Sequence, residues 1–115
     1  MAPDLNISER RSLLLHSRIA DRMTDKELAE STPAIEETIK RLRRQVQGEP
    51  HRGNLDRWEE LVRSGDLEGL RQVMISRDRQ SIEMREVSPI RGMISPDELG
   101  ELLRANLEKD QPEGQ

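Results

Sequence analysis

Apolar residues recur at helical spacing along most of this chain, and they do not alternate with polar residues as they would in a half-buried strand. One such stripe, at positions i, i+4, i+7 and i+11, consists of Ile35, Ile39, Leu42 and Val46. Because only 32% of the 115 residues are apolar and Trp58 is the one aromatic residue, any core is small. The sequence therefore predicts an all-α fold, a single small bundle of six or seven short helices.

Helix-start signals divide the chain into segments. Thr24 and Glu27 form a capping box, Thr32-Pro33 is a second N-cap signal, and residues 95–98 combine a serine cap, proline and glutamate. The predicted helices cover residues 7 or 8 to 23, 25–31, 33–47, 55–64, a segment after Asp66, 78–86, and 96–107. We expect one domain over residues 1–107, with a linker or sub-boundary at 48–53 and a disordered tail at 108–115.

Several function classes find little support in the sequence. With no cysteine and only His16 and His51 as imidazole ligands, we expect no metal site and no disulfide. Gly-rich phosphate loops, nucleophile elbows and zinc-protease motifs do not occur, so we expect no cofactor and no enzyme activity. His16 is expected to be a solvated or core-edge histidine. The N-terminal segment lacks an apolar signal region, which favours a cytoplasmic protein that does not engage a membrane.

Residues 88–95, with the sequence SPIRGMIS, form a predicted elbow between two helices. Ser88-Pro89 ends the preceding helix, because the residue before proline avoids the α region. Two placements remain open for the apolar side chains of this elbow. In one, Ile90, Met93 and Ile94 turn inward and complete the core. In the other, Ile90 and Met93 project from a pre-ordered loop that binds a partner at low entropic cost.

Residues 23–45 are also compatible with a helix-turn-helix, in which a short helix, a tight turn and a second helix with a basic end follow one another. In that arrangement, the residues facing DNA are Thr38, Lys40, Arg41 and Arg44. Glu36 and Glu37 at the start of the second helix would repel phosphate, and the net charge of −4 also opposes DNA binding. A simple amphipathic helix with a basic C-terminal end accounts for the same residues.

Four pieces of the sequence together resemble a known group of proteins. They are Glu9–His16 (ERRSLLLH), the pair Trp58 and Leu61, Arg85–Pro89 (REVSP) and Gly92–Pro96 (GMISP). In this order, the pieces are similar to those of small helical bacterial proteins that act as the antitoxin partners of two-gene toxin–antitoxin modules. The resemblance implies a helical fold, neutralisation of a toxin by direct binding, and no cofactor.

The leading hypothesis is therefore an antitoxin-like interaction module that binds a cognate toxin protein. The predicted contact residues are Ile90, Arg91 and Met93 on the elbow, with a secondary charged patch at Arg41, Arg43 and Arg44. The alternative is a helix-turn-helix regulator that binds its own promoter DNA, and one protein can do both. Either function is compatible with a homodimer or a hetero-oligomer, and a helical surface without any partner remains the simplest alternative.

Overall fold

The computed structural model describes residues 5–110, and the side chains of residues 107–110 lie outside that description. Within this part of the chain the fold is all-α, as predicted, and contains no strand. The helices are α1 (Ile7–Arg22), α2 (Asp25–Gln45), α3 (His51–Ser64), α4 (Leu67–Ile75), α5 (Arg79–Glu86) and α6 (Pro96–Asp110), with a 3₁₀ turn at Arg91–Met93. Residues 108–110 of the predicted tail continue α6, whereas residues 111–115 lie outside the described residues.

Local chemistry accounts for the start of α1. Asn6 accepts a hydrogen bond from the Glu9 amide at 2.7 Å, and the Glu9 carboxylate accepts one from the Asn6 amide at 3.0 Å. This reciprocal capping box satisfies two amides that the helix leaves unpaired. Leu15, Ile19 and Met23 recur every four residues in the sequence, which predicts one apolar face, and all three are buried against the core.

The predicted break at Thr32-Pro33 is wrong, because α2 is one helix of 21 residues that contains Pro33. Proline removes one backbone donor from the helix, and Thr32 bends its hydroxyl back to donate to the Leu28 carbonyl at 2.7 Å. Leu28, Ile35 and Ile39 are all buried and lie on one face, at i, i+7 and i+11. Their shared burial keeps the helix continuous through the proline, since separate helices would lose this common face.

The predicted linker at 48–53 is shorter than expected. α3 begins at His51, so residues 51–53 are helical and the non-helical connection covers residues 46–50. Gly48 adopts φ +68°, a left-handed conformation that suits glycine. Asn54 precedes the predicted helix of residues 55–64 and is a residue type that caps helices, but it is buried inside α3 and accepts from Arg57 at 3.0 Å.

The later helix starts agree with the sequence. Asp66 accepts from the Gly69 amide at 2.9 Å, and Ser95 accepts from the Glu98 amide at 3.1 Å. Glu98 does not complete a capping box, because its carboxylate pairs with Arg18 at 3.0 Å and Arg22 at 2.8 Å on α1. The start of α6 is thereby fastened to α1.

Trp58 of α3 lies at the centre of the core and is fully buried. Its indole nitrogen donates to the Met84 carbonyl of α5 at 2.7 Å, which satisfies the polar atom of the ring. The fully covered neighbours of Trp58 in the cluster come from several helices, and include Ile39, Leu55, Leu70 and Met74. None of the helices within residues 5–110 is long and apolar enough to cross a membrane.

Candidate partner-binding groove

The proline elbow, residues 88–95, is anchored on its inner side by a buried histidine. His16 of α1 is fully buried, and its Nε2 lies 2.7 Å from the Ser88 hydroxyl. Its Nδ1 lies 2.7 Å from the Ser12 carbonyl, which can only accept, so Nδ1 carries the proton and Nε2 accepts from Ser88. The expectation of a solvated or core-edge His16 is therefore wrong. The histidine joins α1 to a segment 72 residues away.

The surroundings of His16 keep its ring neutral. Burial is the main cause that lowers the pKa of His16 from 6.5 to about 4. The hydrogen bond to the Ser12 backbone raises this pKa, and the positive charges of Arg91 and Arg85 lower it further. The ring also stacks on Trp58, with centroids 6.4 Å apart and planes at 29°. A base with so low a pKa withdraws a proton from an alcohol poorly at neutral pH, so the Ser88–His16 pair is better suited to anchoring than to nucleophilic catalysis.

The apolar side chains of the elbow divide between the two placements that the sequence left open. Ile90 is 1% exposed and Ile94 is 6% exposed, so both complete the core. The prediction that Ile90 projects to contact a partner is therefore wrong, because Pro89 and the Ser88 anchor turn the chain so that Ile90 faces inward. Met93 is only half-buried and remains available at the surface.

The outer side of the elbow faces α2 across a groove of about 650 Å³, which we call the α2 groove. The residues that define it are Ala34, Thr38 and Arg41 on α2, and Pro89, Arg91 and Met93 on the elbow. Two of the predicted elbow contacts thus share a surface with two residues predicted from the helix-turn-helix pattern. They are some 50 positions apart in sequence, and no local signal indicates that they meet.

The arginines on the two walls of the groove differ in their contacts. Arg91 is anchored, because its Nη2 donates to the Ser12 hydroxyl at 3.2 Å and to the Arg85 carbonyl at 3.1 Å. Burial lowers the pKa of Arg91, although this guanidinium stays charged at neutral pH. Arg41 is exposed and has no ion pair within the described residues, so its charge is available. Among the described residues, Glu27 is the one carboxylate that lines the groove.

The other predicted basic residues lie outside this groove. Arg43 pairs with Asp56 at 2.8 Å and with Glu59 at 3.2 Å, and so fastens α2 to α3. Its role as a free contact residue is therefore not supported by the geometry. Lys40 and Arg44 are exposed on α2, with Lys40 3.7 Å from Glu37. Because α2 has no turn at residues 31–33, the predicted helix-turn-helix geometry does not form here.

Sequence reasoning missed Arg85, which is 1% exposed and lies on α5 behind the elbow. One signal was present, because Arg85 lies three positions after Ile82 and so shares the inward face of α5. The many charged residues around it in the sequence made this inward face hard to recognise. Across residues 5–106, whose side chains are described, no cluster of histidine, aspartate and glutamate has the makings of a metal site. Comparison of the chain with protein-family models, with curated proteins and with solved structures gave no match.

Proposed function

We propose that this chain is an antitoxin-like interaction module of bacteria, which binds a cognate toxin protein in the cytoplasm through the α2 groove. The observation that carries the proposal is the groove itself. It brings Thr38 and Arg41 of α2 opposite Arg91 and Met93 of the elbow. The resemblance of the sequence to antitoxins supplies the kind of partner.

A fixed elbow supports this proposal, because a surface that is already ordered loses little entropy when it binds. Ser88 is held by His16 at 2.7 Å, Ile90 is buried, and Arg91 is bonded to Ser12. These contacts all lie on the inner side of the elbow. They hold its backbone in place, and Met93 is left to contact a partner.

The composition of the groove favours a partner segment that is apolar and acidic. Ala34, Met93 and the partly buried Leu42 provide apolar contact area, and Arg41 provides a positive charge that has no ion pair among the described residues. An amphipathic helix of the toxin that carries an aspartate or glutamate beside its apolar face has the matching chemistry.

The test is co-expression of the protein with the product of the adjacent gene, followed by gel filtration and a growth assay. We expect a stable complex and rescue of growth. Arg41→Glu reverses the free charge, and Ala34→Trp fills the groove without removing a contact, so both variants should weaken the complex at least tenfold. The matched controls are Arg44→Glu and Ala29→Trp, which change exposed α2 residues outside the groove.

Two results would contradict the proposal. A complex that tolerates both groove variants, or that is lost equally in the two controls, would place the interface elsewhere. If the neighbouring product neither binds nor inhibits growth, the antitoxin assignment is wrong. A salt-sensitive electrophoretic shift of promoter DNA, lost in both Arg41→Glu and Arg44→Glu, would instead support the DNA-binding alternative.

A further inference from the structure

Arg85 is a buried cation with only part of its hydrogen-bonding capacity used. Its Nη1 donates to the carbonyls of Val73 at 2.8 Å and Ser76 at 2.6 Å, at the C-terminal end of α4. Arg85 is 1% exposed, and burial lowers its pKa while the charges of Asp78 and Glu9 act in the opposite direction. The guanidinium is therefore fixed in position by one nitrogen.

The other two nitrogens of Arg85, Nε and Nη2, are buried and have no acceptor among the described residues. These two atoms form one edge of the planar guanidinium and send out two parallel N–H groups. An oxyanion with two acceptor oxygens is the partner that fits such an edge, by bidentate hydrogen bonding. Buried polar groups are usually hydrogen-bonded in folded proteins, so this edge is a candidate surface for a bound acceptor.

A small cavity of about 110 Å³ lies against Arg85, between the N-terminal turns of α1 and the end of α5. Ser8 and Ser12 of α1 and Arg91 of the elbow also line it. This cavity is separate from the α2 groove, although Arg91 borders both. The N-terminus of α1, a helix of 16 residues, adds a favourable dipole for a negative charge.

Two carboxylates also line the cavity and must be weighed against an anion. Glu9 is already engaged, since it accepts from the Asn6 amide at 3.0 Å and lies 3.5 Å from Nη1 of Arg79. Glu86 is exposed, so its side chain can turn into solvent. With Arg79 and Asp78 included, three cations face three carboxylates at this end of the molecule, so the directed donors of Arg85, and not an excess of positive charge, would select an anion.

We propose that this cavity is a binding site for a small oxyanion, a phosphate or carboxylate group, held by the free edge of Arg85 with Arg91 and the Ser12 hydroxyl beside it. A group of four or five heavy atoms matches the volume, whereas a nucleotide or sugar does not. Since Nε and Nη2 are closed to solvent, the ligand enters when the side chains lining the cavity move aside. The site does not depend on the proposed function of the α2 groove.

The test is an NMR titration of the full chain with inorganic phosphate at constant ionic strength, observing arginine Nε–H resonances. Comparison with Arg85→Lys, which keeps a cation but lacks the two-donor edge, assigns the Arg85 signal. We expect a saturable shift of that signal, while the signal of exposed Arg52 stays in place. Glu9→Gln removes a negative charge and can still accept from the Asn6 amide, so phosphate should bind it severalfold more tightly. Glu30→Gln, on exposed α2 surface, is the matched control.

Phenyl phosphate and acetate distinguish the source of the oxyanion. Binding of phenyl phosphate as tight as that of phosphate supports a site for an oxyanion carried by a larger molecule, and binding of free phosphate alone supports a site for the free ion. Binding of acetate as tight as that of phosphate supports a carboxylate as the bound group. An Arg85 signal that does not move, moves equally with chloride, or moves no more than that of Arg52 would overturn the proposal. So would equal phosphate affinity in Glu9→Gln and Glu30→Gln. If Arg85→Lys fails to fold, Glu9→Gln and the Arg52 signal still decide the outcome.

Discussion

The two sides of the proline elbow are built from different kinds of contact. On the inner side, Ser88 is bonded to buried His16, and Ile90 packs into the core around Trp58. On the outer side, Met93 is half-buried and faces exposed Arg41 across an open groove. The same eight-residue segment thus has hydrogen-bonded and packed residues on its inner side and residues open to solvent on its outer side.

The difference teaches how a chain with few apolar residues can present a rigid surface. The inner contacts join segments more than 70 residues apart, so they fix the elbow relative to α1. The outer residues then contribute little to the stability of the fold and are available for binding a partner. Changes on the inner side are therefore expected to reduce stability, and changes on the outer side are expected to reduce binding alone.

Trp58→Ala should give the largest loss on the inner side. The indole is fully buried, stacks on His16 and donates to the Met84 carbonyl, so its removal leaves a cavity and leaves that carbonyl with only its backbone bond from the Val87 amide. The expected decrease in the free energy of unfolding is about 3–5 kcal/mol. Urea denaturation followed by circular dichroism measures it. Ile75→Ala, an apolar residue 47% exposed on α4, is the control and should change stability by less than about 0.5 kcal/mol.

Lowering the pH should reduce the free energy of unfolding through protonation of His16. Above pH 6.5 the ring is neutral in both the folded and the unfolded chain, so it has no effect on stability. Between pH 6.5 and about 4 the unfolded chain takes up a proton and the folded chain does not, so the free energy of unfolding falls as the pH falls. Below about pH 4 both forms are protonated, and the total loss is about 3 kcal/mol.

Denaturation at a series of pH values tests this prediction. The steepest loss attributable to His16 should appear between pH 6.5 and 5, above the range in which carboxylates titrate. Its slope should disappear in His16→Leu, which cannot take up a proton. A wild-type profile that is flat from pH 7 to 5 would show that the ring is not buried in its neutral form.

Ser88→Ala should have a smaller effect, because it removes one hydroxyl and no large side chain. It leaves Nε2 of His16 buried without its donor at 2.7 Å, which costs about 1–3 kcal/mol. Adding Ser88→Ala to His16→Leu should cost less than it does alone, because the pair is then removed together. Strict additivity of the two changes would contradict a direct bond between these residues.

Sequence reasoning predicted the parts of this structure that depend on interactions between residues close in sequence. The all-α class, the Ser95 cap of α6 and the stripe of α1 all follow from signals within a few residues. It failed at Pro33, where a helix-start signal predicted two helices and the buried stripe continues past the proline in one. Tertiary burial, which no local signal reports, outweighed the cost of one missing backbone bond.

The site shows the same division. The sequence placed an ordered elbow at residues 88–95, but could not decide which of its apolar residues faces inward. That choice depends on His16, which approaches from 72 positions away. Likewise, Arg41 and Met93 were singled out for separate reasons, and only the folded chain brings them to one groove.

The smallest expected effect on stability belongs to the outer side. Arg41 is exposed and has no ion pair within the described residues, so Arg41→Glu removes no contact that folding depends on. The free energy of unfolding should therefore change by less than about 0.5 kcal/mol, even though the charge is reversed. Affinity for an acidic partner should nevertheless fall at least tenfold, and the association rate should lose much of its salt dependence.

Urea denaturation and binding kinetics on the same samples separate the effect on stability from the effect on affinity. Arg43→Glu is the informative contrast, because Arg43 is paired with Asp56 and Glu59, and reversing it places three negative charges together. That variant should lose more stability than Arg41→Glu and leave the groove unchanged. If Arg41→Glu instead destabilises the protein as much as Arg43→Glu does, the outer side of the groove takes part in folding. The separation between a folding side and a binding side of the elbow would then fail.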